Sequence, residues 1–170
     1  AQALLRALDA IDEAGRLTEA GTAMRRLALP VRLAHMVAEA AKTGHAQEAA
    51  LLAVLLTERG LGGDSVDLER RLMRFHGEKS PRANAARQLA ERLARSLPSP
   101  SRGEERAGAL LLHAWPDRVA KARGERGRFV LANGSGAMLD AVDPLAGGPY
   151  LVVPHLQGKA QGARITAAAA

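Results

Sequence analysis

The sequence predicts an α+β fold, a mainly helical bundle followed by a small antiparallel β-barrel. Apolar residues recur at helical spacing from Pro30 to about Leu97. The segment 97–103, LPSPSRG, then contains two prolines and two serines, a composition typical of a linker. After Gly124 the pattern changes to short β-like runs separated by glycines. We therefore predict a domain boundary near residue 100, with a helical region before it and a β-rich region after it.

Residues 1–29 predict a helix, a tight turn and a second, short helix. Gly15 can adopt the positive φ that the turn needs, so that a short extended segment leaves it. Thr18 is a favourable N-cap for the short helix. Pro30 ends that helix and suits the first turn of the next one. A segment of this size needs a neighbour to complete a core.

Four helices are predicted between Pro30 and Leu97. They cover residues 31–42, 46–58, 67–76 and 81–97. The second is apolar all round, which indicates the central buried helix of the bundle. Either Asp64 or Ser65 is expected to cap the third helix. Ser80 and Pro81 form the cap and first position of the fourth, whose buried stripe is predicted to include Ala86, Leu89, Ala90, Leu93, Ala94 and Leu97.

The region after the linker begins with helix and continues as strands. Residues 104–124 predict two helical stretches joined at Trp115-Pro116-Asp117, where proline interrupts the helical hydrogen bonds. The predicted strands cover 128–131, 137–139, 150–153 and 164–166. The last of them runs into the alanines 167–170, which lack strand alternation, so closure of the barrel is left open.

Several chemistries are excluded by composition and spacing. Without cysteine the chain has no disulfides and no thiol chemistry, and a reducing cytoplasm is the expected compartment. The five histidines lack metal-ligand spacing, so we predict no metal site. No phosphate-binding loop of the G-x-x-x-x-G-K-[ST] type occurs, and no catalytic residue is predicted. No apolar run is long enough to span a bilayer. Aromatic residues make up only 2%, which leaves few platforms for base stacking.

Positive charge is the remaining functional signal. The chain has 24 Lys and Arg residues against 18 Asp and Glu, a net charge of +6. Two basic groups stand out, one on the third bundle helix and one after the linker. We predict that eight residues contact nucleic-acid phosphates: Arg70, Arg71, Arg74, Arg118, Lys121, Arg123, Arg126 and Arg128. A solvated, ion-paired surface explains the same spacing, and a GC-rich genome explains an excess of arginine.

The residues of several stretches resemble those of one family, the HrpB group of bacterial DEAH-box helicases. The stretches are Gly15-Arg16-Leu17-Thr18, Leu29-Pro30, Leu33-Ala34-His35-Met36, Leu110 to Ala120 with Trp115-Pro116-Asp117, Leu131-Ala132-Asn133-Gly134, and Tyr150-Leu151-Val152-Val153. They follow the family's order and cover most of the chain, whereas residues 60–105 match in helical pattern only.

The resemblance implies three parts and an accessory role. Residues 1–29 would end a degenerate winged helix, 30–100 would form the helical ratchet, and 101–170 would form a helix with an OB-like barrel. ATP and Mg²⁺ would bind to RecA-like motor domains before residue 1, so this stretch would not hydrolyse ATP by itself.

The implied partners are those motor domains and single-stranded nucleic acid, with RNA favoured over DNA. No membrane contact is expected, and the stretch is expected to be a monomer. Its role would be to grip the strand's phosphate backbone while the motor hydrolyses ATP. The alternative is a protein-interaction module without nucleic-acid binding.

Overall fold

A computed structural model describes residues 1–98, 104–159 and 161–170. The predicted boundary at residues 100 and 101 lies outside this described part. The chain divides into two compact units, the first formed by residues 1–59 with 78–105 and the second by 60–77 with 106–170. Within the described part, no helix combines the length and apolar content needed to cross a membrane.

The first unit is helical and contains five of the described helices. They are α1 (Gln2–Ala7), α2 (Glu19–Arg26), α3 (Val31–Lys42), α4 (Ala46–Thr57) and, after the excursion of the chain into the second unit, α6 (Pro81–Arg95). The second unit contains α5 (Leu68–Gly77) and α7 (Ala107–Ala114) together with all five strands.

The start of the first unit follows the predicted turn and cap. Leu17 forms an antiparallel bridge with Ile11, which confirms the short extended segment after Gly15. The Thr18 hydroxyl accepts a hydrogen bond from the Gly21 amide at 2.9 Å, so Thr18 is the N-cap of α2 as predicted. The same hydroxyl donates to a backbone carbonyl ahead of the turn. One side chain thus fixes both the turn and the helix that follows.

Helix α4 lies at the centre of the first unit. It packs against α3 and α6, and eight of its residues are buried, which confirms the predicted central helix. Ser80 caps α6 by accepting from the Ala83 amide at 3.1 Å, as predicted. The buried stripe of α6 is narrower than predicted because Leu89 is 39% exposed. Each helical residue turns by about 100°, which places Leu89 at the edge of a line formed by Ala86 and Ala90.

Helix α5 packs with the β-rich unit, although the sequence had grouped its residues with the ratchet helices. Its buried residues are Leu68 and Phe75. The Glu69 carboxylate accepts from the Ala107 amide at 2.6 Å, which ties α5 to the start of α7. The Asp67 carboxylate accepts from the Glu69 amide at 3.0 Å. Asp67 therefore caps α5, and the prediction of Asp64 or Ser65 as the cap was wrong because the helix begins later.

The five strands form a closed barrel in the order β1-β2-β3-β5-β4. They are β1 (Val119–Ala122), β2 (Arg128–Leu131), β3 (Gly136–Met138), β4 (Tyr150–Gln157) and β5 (Gln161–Ala169). The pairing of β3 with β5 is parallel, whereas every other pairing is antiparallel, so the expectation of a wholly antiparallel barrel was wrong in this one place.

Strand β1 replaces the second helical stretch expected after Trp115. Pro116 begins a short 3-10 turn that ends at Arg118, and the chain then pairs with its neighbours. Ala120 pairs with Leu131 of β2 and with Leu151 of β4. Helical pattern alone misassigned these residues, because the strand is stabilised by partners distant in sequence.

The terminal alanines close the barrel. Ala167, Ala168 and Ala169 are buried, and the Ala168 amide donates to the Val66 carbonyl at 2.9 Å. Helix α7 approaches this strand so closely that a Cβ on Gly108 would lie 2.0 Å from the carbonyl oxygen of the last residue. The alanine run in the sequence left closure of the barrel open, and the structure shows that the barrel is closed. The small alanine side chains allow this close packing.

Gly62→Ala should destabilise the second unit more than Gly134→Ala. Both glycines have positive φ, +66° and +86°, and each substitution should cost about 1–2 kcal/mol for that conformation. A Cβ on Gly62 would also lie 2.1 Å from the Arg71 carbonyl oxygen, whereas Gly134 has open space. Overpacking should add about 1–3 kcal/mol at position 62. Urea denaturation measures both free energies of unfolding, and equal losses would refute the close approach.

Candidate nucleic-acid interface

All eight predicted phosphate contacts lie in the second unit. They are Arg70, Arg71 and Arg74 on α5, Arg118 in the 3-10 turn, Lys121 on β1, Arg123 and Arg126 between β1 and β2, and Arg128 on β2. The structure separates them by what their side chains contact. Some bind backbone carbonyls of their own unit, and others are exposed without an acidic neighbour.

Arg71 and Arg118 each donate to a backbone carbonyl. Arg71 Nε and Nη2 lie 3.4 and 3.3 Å from the Leu61 carbonyl oxygen. Burial lowers the pKa of Arg71, and the nearby Asp64 carboxylate opposes that effect. The guanidinium remains charged, because its ordinary pKa is far above neutrality. Arg118 Nη1 donates to the Pro154 carbonyl of β4. Both side chains therefore hold the fold as well as supplying charge.

Arg126 connects two loops at one end of the barrel. Its Nε donates to the Ala141 carbonyl at 2.7 Å, and its Nη2 lies 3.4 Å from the Asp143 carbonyl. A Cβ on Gly147 would meet the Arg126 guanidinium at 2.4 Å, so the loop passes directly against it. The structure thus gives Arg126 a positioning role between the β1–β2 loop and the segment that precedes β4.

The pKa of His155 is affected by a residue from each of the two basic groups. Burial lowers the pKa of His155 from its ordinary value, and the charges of Arg118 and Arg71 lower it further. The two groups, which the sequence placed far apart, therefore act on the same imidazole. Sequence reasoning considered His155 only as one of five histidines without metal-ligand spacing and gave it no role. Its neighbours are adjacent only in the folded unit, so no spacing in the sequence signals the cluster.

The other two arginines of α5 are more exposed. Arg70 Nε lies 3.8 Å from an Asp67 carboxylate oxygen, and an exposed pair at this distance is weak. Arg74 lies over Gly63, where a Cβ would be 3.1 Å from its Nη1. No carboxylate lies within ion-pair distance of Arg74 among the residues that the structure describes.

Exposed cations also occupy the outside of the barrel. We define the outer barrel face as Lys121, Arg128, Val130, Met138 and Arg164. Arg128 is paired in register with Met138, and Met138 with Arg164, so these three form a row across β2, β3 and β5. Lys121 is paired with Val130 in the neighbouring row. Arg128 Nη1 also contacts the sulfur of Met138.

Arg164 is a member of this face that sequence reasoning missed. The sequence had placed it in a strand, and alternation around the buried Ala163 and Ile165 would have pointed it outward. Arg123, which was predicted, lies just past β1, and its backbone amide donates to the Arg128 carbonyl at 2.9 Å. In the described part of the chain, no carboxylate pairs with Lys121, Arg123, Arg128 or Arg164.

Acidic residues lie in the loops beside this face. Asp140 Oδ1 accepts from the Val142 amide at 3.1 Å, and Asp143 Oδ1 accepts from the Leu145 amide at 2.9 Å. These carboxylates cap their own turns. Among the described residues, no group of three or more His, Cys, Asp or Glu side chains could hold a metal ion.

The chain is similar in sequence and in structure to known HrpB proteins. No family model matches the chain. The chain is 37% identical over 161 residues to the ATP-dependent RNA helicase HrpB of Escherichia coli K12, covering 94% of the chain and 19% of the relative. A crystal structure of the E. coli DExH-box NTPase HrpB matches 99% of the chain and 20% of that protein, with a TM-score of 0.79 and 33% identity.

A second crystal structure, of the E. coli DEAH/RHA helicase HrpB, has the same TM-score of 0.79 with 31% identity. The chain matches the C-terminal region of HrpB-type helicases. The resemblance found in the sequence is thereby confirmed, together with the helical bundle and the small OB-like barrel. The chain spans about a fifth of the HrpB relatives that it matches.

Arg118→Gln should raise the pKa of His155 toward its ordinary value. The change removes a repulsive charge but keeps a donor for the Pro154 carbonyl. Because the folded pKa is lowered, the stability from neutral His155 is present above about pH 6.5 and is lost as pH falls through the folded pKa.

An NMR titration of the His155 ring measures this pKa directly. Arg123→Gln is the matched control, since it removes an exposed arginine that does not act on His155. An unchanged His155 pKa in Arg118→Gln would refute the clustering of the two basic groups.

Proposed function

We propose that this region grips the phosphate backbone of a single strand of RNA for an HrpB-type helicase. In this proposal ATP and Mg²⁺ bind to motor domains elsewhere in the protein, and the region described here supplies contacts to the strand. The observation that carries the proposal is the outer barrel face, where Lys121, Arg128 and Arg164 are exposed on β1, β2 and β5 without acidic partners among the described residues.

Unpaired cations on a sheet are suited to phosphates. Arginine presents a planar fork of donors that matches phosphate oxygens, and lysine supplies a compact charge. The OB-fold commonly uses the surface of its second and third strands for oligonucleotides, and Arg128 and Met138 lie on these strands here. Gly136 adds no side chain to this surface, and a Cβ there would have open space. A backbone can therefore approach the sheet closely.

The character of the side chains favours backbone contact over base reading. The outer barrel face consists of three cations with Val130 and Met138, and the amide of Gln157 lies at its edge, where Gln157 is paired in register with Arg164. Contacts to phosphate position a strand without reading its sequence. We therefore infer that binding is independent of sequence and depends strongly on salt.

Arg74, Arg71 and Arg118 extend this proposal to α5 and the 3-10 turn. Arg71 and Arg118 already donate to carbonyls, so they would contribute charge near the strand while holding the fold. The Arg74 side chain has neither a carbonyl nor a carboxylate partner among the described residues. Replacing Arg71 or Arg118 would mix a structural loss with a binding loss, which makes them poor first tests.

The double variant Lys121→Gln with Arg128→Gln should weaken binding to an oligouridylate of about 12 nucleotides, a length within the range that OB-folds cover. Each lost phosphate contact should also reduce the slope of log affinity against log salt by about 0.7. Fluorescence anisotropy between about 50 and 200 mM salt measures both quantities.

The matched control is Arg26→Gln with Arg92→Gln, which removes the same charge from exposed residues of the first unit. It should leave the salt slope nearly unchanged. Equal weakening by both double variants would refute a gripping role for the outer barrel face. Binding that ignores salt and both changes would defeat the proposal, whereas no binding of oligouridylate by the unchanged chain would favour the protein-interaction module.

A further inference from the structure

Tyr150 is exposed in a protein that otherwise buries its aromatic rings. The chain has four aromatic residues, one Trp, one Tyr and two Phe, and all lie in the described part. Phe75, Trp115 and Phe129 are 0%, 7% and 3% exposed, whereas Tyr150 is 53% exposed. The ring of Tyr150 is therefore the one aromatic surface that a ligand can reach.

The barrel places this ring beside the outer barrel face. Tyr150 is the first residue of β4 and is paired in antiparallel register with Lys121 of β1. Their neighbours Leu151 and Ala120 are 1% and 0% exposed and point into the barrel. Since side chains alternate along a strand, Tyr150 and Lys121 both point outward. Residues directly opposite each other have Cβ atoms about 4.5–5.5 Å apart.

The exposed ring has no structural partner that would explain it. Within the described residues, the phenol hydroxyl of Tyr150 makes no hydrogen bond. Tyr150 also lies outside the barrel's hydrophobic core, which Leu151 and Val153 enter from the same strand. The ring is exposed, and its cross-strand neighbour is Lys121.

We propose that Tyr150 is a stacking platform for one base of the strand whose phosphates are held by Lys121 and Arg128. This inference rests on the proposed function and adds a second kind of contact to it. Every nucleobase has a π-face, so stacking on one ring tolerates any sequence. A base on Tyr150 would bring its own phosphate within reach of Lys121, because the two side chains are cross-strand neighbours.

Two substitutions separate the ring from the hydroxyl. Tyr150→Ala removes the platform and should weaken binding of about a 12-nucleotide oligouridylate roughly 5- to 100-fold. Tyr150→Phe keeps the platform and should bind like the unchanged chain. The salt slope should stay the same in Tyr150→Ala, because no phosphate contact is lost, in contrast to Lys121→Gln.

A base-free probe tests the stacking contact itself. An oligomer of the same length that carries ribose phosphates without bases should bind the unchanged chain more weakly than oligouridylate. It should bind Tyr150→Ala and the unchanged chain equally, since neither can stack a base that is absent. Circular dichroism on each variant checks that the barrel remains folded. Tyr150→Val, which also removes the ring but suits a strand better than alanine, gives the same comparison if Tyr150→Ala unfolds.

The outcomes distinguish this inference from the proposed function. Salt-dependent binding that Tyr150→Ala leaves unchanged overturns the stacking role but not the phosphate grip. Loss of binding in Tyr150→Phe as well as Tyr150→Ala also overturns it, because the ring would then not be the contact. No binding of oligouridylate by the unchanged chain overturns both.

Discussion

Close approach of backbones around β5 is the constraint on which the second unit depends. This strand pairs with β3 in parallel and with β4 in antiparallel register, and both pairings are needed to close the barrel. It also forms a bridge between Ala168 and Asp67, just before α5. Larger side chains than the buried alanines 167–169 would separate these elements. Small residues therefore pack the elements of this unit together, whereas other cores use large aromatic side chains. Each small residue buries less apolar area.

The same packing decides where the charges lie. Helix α5 packs against β5, so Arg71 lies in the same unit as Arg118. The charges of both arginines lower the pKa of His155. Carbonyl contacts then occupy Arg71, Arg118 and Arg126, so part of the net charge of +6 serves the fold. A hydrogen bond from a charged donor contributes roughly 1.5–3 kcal/mol to stability. Counting arginines alone would overstate the charge that is available to a strand.

The sequence correctly predicted structural features, such as helix caps, that depend only on residues close together in the chain. Thr18 and Ser80 cap their helices because a hydroxyl three residues ahead of an amide needs no distant partner. Strand β1 was missed because its residues continue a helical pattern, while its partners come from β2 and β4. The alanine run carries no alternation, so closure by β5 had no local signal. For the candidate site, the sequence identified the exposed Lys121 and Arg128, and strand alternation could have indicated Arg164. The position of Tyr150 beside Lys121 required the register of the barrel.

Weak, dissimilar contacts suit the proposed role better than strong, uniform ones. A strand that moves through a helicase must leave each contact as readily as it forms it, so a high affinity at one place would oppose movement. Phosphate contacts of exposed cations exchange with salt ions, and they are therefore weak at physiological salt. A single stacking ring holds one base by roughly 1–3 kcal/mol, which is a modest and sequence-tolerant interaction. A face with three unpaired cations and one ring would thus hold a strand against thermal slippage and still release it as the motor advances.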